Sequence, residues 1–374
     1  VSSNVDKPAA QEALIWGLKS LVSQNALSSA HILFPEPSEL DELKKQGVQI
    51  SFISRNLPAH LSLMLTEKGM EYLPLSIDEA SEEVDDLAHA SWLGTSQSLD
   101  AQATLQALAN QSWDWIIVDH YALDVRWEKA VRSSCKKLMV IDDLADRQHD
   151  CDVLLDQNYY ADMQTRYISK APPHCQLLLG PRYALLREEF RTLRDKVKVR
   201  TGDVKKILVF FGGVDSGNYT SLAIQALAEL NSKQQVDVVI GVQHPNREQI
   251  QQACINHGFI CHVQTTRMAE LMAEADLALG AGGTATWERC AMGLPSIIAV
   301  IAENQSKAAM DLDAFRVIVN IGDAKNIMKA DILRAVERML VNEQSRTALS
   351  ISAMHLVPIQ RQNKITEMLV GNHV

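Results

Sequence analysis

The chain has 374 residues, of which 47% are hydrophobic and 22% charged, with a formal net charge of −10 at pH 7. That length suffices for two domains with a core each, and the composition is that of a soluble globular protein. The acidic balance argues against a nucleic-acid partner, whose phosphates need clustered Lys and Arg.

In chain order, EALIWGLKSLVSQ (12–24) reads as an amphipathic helix. From about residue 48, short apolar runs alternate with longer helical patterns. VQISFIS (48–54), WIIVD (115–119), KLMVID (137–142), DVLLD (152–156) and QLLLG (176–180) read as strands, with LDVRWEKAVRSS (123–134) as an intervening helix. Arg187–Lys206 mixes basic and acidic residues, as a solvated helix plus linker does. A second series follows: KILVFFGG (206–213), the helix pattern YTSLAIQALAEL (219–230), then VDVVIGV (236–242), FICHVQ (259–264), DLALG (276–280) and PSIIAVI (295–301) as strands. ADILRAVERMLVNEQSRTAL (330–349) carries a strong amphipathic helix signal.

The alternation predicts two doubly wound α/β domains with mostly parallel sheets. Their expected extents are 1–190 and 205–350, with a linker at 191–204 and a final segment at 351–374. Six cysteines show no CxxC pair or zinc-like spacing, and no signal-peptide pattern precedes them, which predicts a reducing, cytoplasmic setting. The apolar runs fall short of the ~20 residues of a membrane span, so none is expected.

In open α/β sheets, ligands sit beyond the carboxyl ends of the strands. Those ends carry Asp119-His120-Tyr121, Asp142-Asp143, Asp156-Gln157-Asn158, Gly180-Pro181-Arg182-Tyr183, Gly212-Gly213-Val214-Asp215 and Gly280-Ala281-Gly282-Gly283. Singly each suits a polar turn; their recurrence in both halves favours a cleft between two facing domains.

Two of these ends run strand, glycines, helix. Gly212 and Gly213 precede a polar turn with Asp215, Ser216 and Asn218. Gly280, Gly282 and Gly283 precede Thr284 or Thr286 as an N-cap, and Gly293-Leu294-Pro295 ends the helix. Such a turn lets a diphosphate approach the unpaired N–H groups and positive end of a helix. Neither turn completes a Walker A loop or a GxGxxG fingerprint. Glu288 either binds ribose hydroxyls or supplies a favourable charge at the helix start; Trp287 suits a core position better than a base-stacking one. Asn304 and Gln305 either position a ligand or form a turn. His31 and His120 are the best-placed candidate bases, since histidine takes a proton near neutral pH, although a lone histidine is more often structural. His149, Asp150 and Asp152 beside Asp142 and Asp143 suggest a metal site only weakly, because neighbours on an extended chain point to opposite sides, and no metal is expected.

VDHYALDVRWE (118–128), VIDDLADRQHDCDVLLDQN (140–158), LLGPRYALLREEF (178–190), VFFGGVDSGNYTSLA (209–223) and GAGGTATWERCAMGLPS (280–296) closely resemble one family. It is the UDP-2,4-diacetamido-2,4,6-trideoxy-β-L-altropyranose hydrolase of pseudaminic acid biosynthesis, and the resemblance runs from about residue 42 to 350. It implies a GT-B fold, two Rossmann-like domains facing each other across a cleft, like the lipid-linked peptidoglycan N-acetylglucosaminyltransferase. It further implies a UDP-linked diacetamido-trideoxy sugar as substrate, UDP as product and no cofactor or metal. The diphosphate would lie at Gly282, Gly283 and Thr284, and the ribose near Glu288. Gly212, Gly213, Asp215 and Asn218 would enclose the sugar-phosphate, while Asn304, Gln305, Asp119 and Tyr121 would line the cleft. A histidine in a glycine-rich loop is the family's base, and a last helix crosses back to the first domain.

The chain departs from that pattern near its start. The family has a strand, a Gly-x-Gly-His turn, then Val-Met-Arg-Cys and a helix; here LSSAHILFPEP (27–37) matches the histidine with His31 but has Ser28 and Ala30 for the glycines. Phe34 replaces the arginine, and Pro35 and Pro37 interrupt the helix. LVPIQRQNKITEML (356–369) likewise lacks the family's glycines before the last helix. Three readings follow: a hydrolase of the UDP-sugar, a GT-B glycosyltransferase, and a UDP-sugar binder without turnover.

Overall fold

A computed structural model of the chain describes residues 19–23, 49–55, 57, 59–67, 69–75, 85–109, 113–230, 233–358 and 364–370. They divide into two compact units, with the chain passing from the first to the second at Arg187/Glu188 and returning to the first for its last helix. Both units are α/β and Rossmann-like.

The first unit contains β1 (Lys19–Ser23), β2 (Gln49–Ser54), α1 (Ala59–Glu67), β3 (Glu71–Pro74), α2 (Gln97–Ala107), β4 (Trp113–Asp119), α3 (Val125–Val131), β5 (Cys135–Ile141), β6 (Val153–Asp156) and β7 (Gln176–Leu179). Its sheet has the order β3-β2-β1-β4-β5-β6-β7. Alternation along β4 sends Trp115 and Ile117 into one core with Phe52, Met139 and Leu155, and Ile116 and Val118 into another with Trp127, Val140 and Leu154. A sheet covered on both faces explains why its strands read as continuous apolar runs.

β1 corrects the sequence reading, because Lys19–Ser23 is a strand where a helix was expected over 12–24. It fills the middle of the sheet and pairs antiparallel with both β2 and β4. Without it those strands would carry unpaired backbone groups in the sheet interior, a cost that outweighs local helical preference. Its direction matters too, since Lys19 lies opposite Val118 and Val22 opposite Trp115. β1 therefore ends at the sheet edge away from Asp119.

The second unit contains α4 (Glu188–Arg194), β8 (Lys206–Phe210), α5 (Tyr219–Glu229), β9 (Gln235–Ile240), α6 (Arg247–His257), β10 (Ile260–Val263), α7 (Met268–Glu274), β11 (Leu277–Ala281), α8 (Ala285–Ala291), β12 (Ser296–Val300), α9 (Ser306–Ala314), β13 (Val319–Asp323), α10 (Lys329–Val341) and α11 (Glu343–Leu356). Its six strands are all parallel, in the order β10-β9-β8-β11-β12-β13. The core joins Ile207, Val209, Val238, Leu279 and Ile297 to Ile224 and Leu227 of α5 and Val336 and Met339 of α10.

One local expectation changes here. The helix signal over 330–349 is two helices, because Asn342 leaves helical geometry (ψ 81°) and its side chain accepts from Ser345 N–H at 2.9 Å to start α11. The mostly exposed stretch after α4 is anchored through Arg200. Arg200 donates to the carbonyls of Met272, Ala273 and Ala275, the orphan acceptors at the end of α7, and its N–H reaches Ser350 Oγ at 3.0 Å. The final helix, α12 (Lys364–Val370), adds Ile365 and Leu369, an i, i+4 pair, to the first unit's core beside Trp115 and Ile117.

Gly280 lies opposite Phe210 in the β8–β11 pair, and a Cβ there would sit 2.0 Å from the Phe210 carbonyl oxygen. Gly280→Ala is therefore expected to destabilise the second unit by about 1–3 kcal/mol. Gly213 has no atom nearer than 3.9 Å to its virtual Cβ, so Gly213→Ala should change stability by less than about 0.5 kcal/mol. Urea titration of the two variants checks the contrast.

Candidate functional site

The second unit's strand order reverses direction of growth between β8 and β11. At such a switch point the chains leaving adjacent strands diverge and open a crevice at their carboxyl ends. The two glycine turns, 212–213 and 282–283, leave β8 and β11 at that place. The sequence showed two glycine turns 70 residues apart; the topology makes them neighbours.

Each turn is held by a polar side chain. Asp215, 6% exposed, accepts from Tyr219 N–H (3.0 Å) and Thr220 N–H (2.7 Å), capping α5 with both oxygens. His244 approaches the same carboxylate at 3.5 Å through Nε2, and its Nδ1 accepts from Asn246 N–H. Asn218 stands in the left-handed region (φ 54°) and accepts from Ser221 Oγ. This Asp215 is thus engaged in building the turn, leaving Gly212, Gly213 and Asn218 to present it.

On the other side, Gly283 takes φ +86°, which disfavours any side chain. Thr284 precedes α8 but its hydroxyl makes no capping hydrogen bond, and Thr286 lies inside the helix, so the expected side-chain N-cap is absent. The turn is organised instead by Arg289, which sequence reasoning missed. Its buried guanidinium donates to Ala281 O (2.6 Å) and Thr286 Oγ1 (3.1 Å), and burial lowers its pKa to about 10. One turn of helix separates Thr286 from Arg289, but nothing in the sequence marks that arginine as buried. Gln305 lies over the glycines, its amide within 3.0–3.4 Å of where Cβ atoms of Gly282 and Gly283 would be, and its Oε1 accepts from Ile301 N–H. Asn304 is exposed beside it, Glu288 is buried in the first turn of α8, and Trp287 is 2% exposed, a packing residue.

In the first unit, β4, β5 and β6 end in buried acids. Asp119, Asp142 and Asp156 are each at most 2% exposed. Burial would raise Asp142, but Arg147 at 2.7 Å, His149, Ala145 N–H and the Tyr167 hydroxyl hold it below the usual carboxylate range. Asp143 accepts from Tyr121 Oη (2.7 Å) and Asn158 Nδ2 (2.8 Å), yet burial and Asp142 push it up to about 6. Burial and the charge of Asp143 push Asp156 up to about 8, against Arg166 at 2.6 Å and the Asn158 N–H. Asp119 rises well above its ordinary value through burial and its two neighbours Asp143 and Asp142, and its Oδ2 has no hydrogen-bond partner among the described residues. His149 Nδ1 meets Glu128 Oε1 at 2.7 Å, so the histidine joins this network. Among the described residues no group of three or more His, Cys, Asp or Glu is arranged to hold a metal ion.

Of the candidate bases, His31 lies outside the described residues. His120 is 7% exposed and its Nδ1 accepts from Ala122 N–H at 3.0 Å. In a neutral ring so held, Nδ1 is the acceptor and Nε2 the donor.

Residues 207–352, nearly all of the second unit, match the model of the glycosyltransferase family 28 C-terminal domain. The whole chain resembles the crystal structure of Acinetobacter baumannii MurG, with a TM-score of 0.60 at 12% identity over 89% of this chain and 94% of that one. The fold is therefore GT-B. Among sequence relatives, an uncharacterized protein of Methanocaldococcus jannaschii, MJ1062, is 23% identical over 206 residues, 53% of this chain and 43% of its own length. The UDP-2,4-diacetamido-2,4,6-trideoxy-beta-L-altropyranose hydrolase of Campylobacter jejuni is 25% identical over 195 residues, 52% of this chain and 68% of its own. The chain thus spans less than half of the first relative. Among the described residues no helix is long and apolar enough to cross a membrane.

Two outcomes follow from the geometry. Asp215→Ala should cost about 0.5–2 kcal/mol through the lost cap, and Asp215→Asn much less, as read by thermal unfolding. The folded state keeps a proton on Asp143 up to about pH 6, while the unfolded chain loses it near 4. Its contribution is full below about pH 4 and is lost as pH rises to about 6. Urea titrations across that window should show a decline that Asp143→Asn reduces by about 1–3 kcal/mol, the remainder coming from Asp119 and Asp156, which also rise above their ordinary values.

Proposed function

We propose that the chain hydrolyses a UDP-linked diacetamido-trideoxy sugar, UDP-2,4-diacetamido-2,4,6-trideoxy-β-L-altropyranose, in the pathway to pseudaminic acid. The observation that carries this reading is the pair of glycine turns at the switch point of a unit matching the glycosyltransferase family 28 C-terminal domain. The similarity to the Campylobacter hydrolase supports the choice of reaction.

In this reading the diphosphate meets the backbone N–H groups of Gly282, Gly283 and Thr284, with Asn304 and Gln305 alongside and Glu288 toward the ribose hydroxyls. Gly212, Gly213 and Asn218, on the turn that Asp215 shapes, enclose the sugar-phosphate, and Asp119 and Tyr121 contact the sugar. Water attacks C1 from the face opposite UDP. A base takes the proton of the water, the C1–O bond breaks, and its electron pair leaves with the β-phosphate oxygen of UDP, inverting C1. Backbone N–H groups at the turn offset the charge that develops on that oxygen.

His31 is the proposed base. The family model itself favours a second reading, a glycosyltransferase in which an acceptor hydroxyl replaces water.

Phosphorus NMR of UDP release from the named UDP-sugar decides between them. Release that falls 10²–10⁴-fold in His31→Ala is expected. Release untouched by His31→Ala would remove His31 as the base while keeping the hydrolase. UDP binding by calorimetry without release would sink the hydrolase reading and leave a binder. Turnover only on adding a hydroxyl acceptor would establish the transferase.

A further inference from the structure

Beside the buried acids, three aromatic rings meet on the surface of the first unit. His89 and Trp92 have ring centroids 4.3 Å apart, His89 and Tyr121 5.5 Å, and Trp92 and Tyr121 5.8 Å, with the planes tilted by 39–46°. Ala90–Trp92 is a 3₁₀ turn in which Trp92 N–H donates to the His89 carbonyl at 2.9 Å. Residues i and i+3 of such a turn eclipse each other, which is why these two side chains stack. Tyr121 comes from the carboxyl end of β4; its hydroxyl is anchored on Asp143, and the Arg147 guanidinium lies 6.0 Å from its ring. Trp92 stays 39% exposed, whereas Trp113, Trp115, Trp127 and Trp287 are each at most 4% exposed.

We propose that Trp92, with His89 and Tyr121 behind it, is a stacking platform for the pyranose ring of the substrate, and that the buried Asp119 carboxyl at the same strand end receives one of that ring's polar groups. This deepens the reading above and rests on it for the identity of the sugar.

The ring geometry selects the ligand. A cage for an ammonium group needs rings held apart around a central space. Here the rings are in mutual contact, and together they present one amphipathic surface with the indole as its exposed part. Such a surface suits the C–H face of a sugar ring and its acetamido methyls, while their N–H and O–H groups seek acceptors. Asp119 Oδ2 is an acceptor of that kind, buried, on the strand end next to Tyr121, and unpartnered among the described residues. A buried polar atom without a partner is costly unless a ligand or water satisfies it.

The test separates sugar from nucleotide. Binding of the free 2,4-diacetamido-2,4,6-trideoxy sugar and of UDP is measured by calorimetry on the full chain, for the wild type, Trp92→Ala and Trp92→Phe. Expected are about tenfold weaker sugar binding in Trp92→Ala, largely restored in Trp92→Phe, and unchanged UDP binding in both. Equal loss for UDP, no loss for the sugar, or no sugar binding by the wild type would each overturn the platform. The hydrolase reading fails separately: Trp92-dependent sugar binding without any UDP release would keep the platform and remove the hydrolysis. UDP release with sugar binding indifferent to Trp92 would do the reverse. Trp92→Ala loses its contacts with His89 and Tyr121 and should unfold at a somewhat lower temperature, so its unchanged UDP binding is what separates a binding loss from a folding loss.

Discussion

The contact between Gly280 and the Phe210 carbonyl fixes the second unit. Only a residue without Cβ lets β11 lie against β8 at this point. That pair of strands is also where the sheet changes its direction of growth, so the same constraint sets the separation of the two glycine turns. Arg289 then ties the second turn to its own strand through Ala281 O, and Asp215 ties the first to α5. Asp215 and Arg289 thus carry structural hydrogen bonds of the two turns.

The first unit solves a different problem at its strand ends. It gathers Asp119, Asp142, Asp143 and Asp156 into a volume mostly closed to water. Four carboxylates cannot all remain ionised there, since burial and mutual repulsion both favour the neutral form. Arg147 and Arg166 hold Asp142 and Asp156 by direct ion pairs, and Tyr121 and Asn158 satisfy Asp143. Asp119 Oδ2 is left without a hydrogen-bond partner among the described residues.

Much of this was legible from local pattern. The apolar runs at 115–119, 137–142, 206–210 and 296–300 are strands because a sheet covered on both faces needs residues that are apolar on both sides. The glycine words at 212 and 282 announced turns between a strand and a helix. What failed depends on packing that local pattern does not display. Lys19–Ser23 looks helical alone and is a strand because β2 and β4 flank it. Thr284 looks like a cap, yet Arg289 organises the turn.

The sequence by itself determined the class of fold, most of its strands and the residue types at the carboxyl ends of those strands, because periodicity and glycine placement are local properties of the chain. Tertiary structure decided the order of the strands, the adjacency of the two glycine turns, the burial of the acids and the meeting of His89, Trp92 and Tyr121. Those depend on which elements pack together, and the free energy of packing belongs to pairs of distant residues that no window of sequence contains.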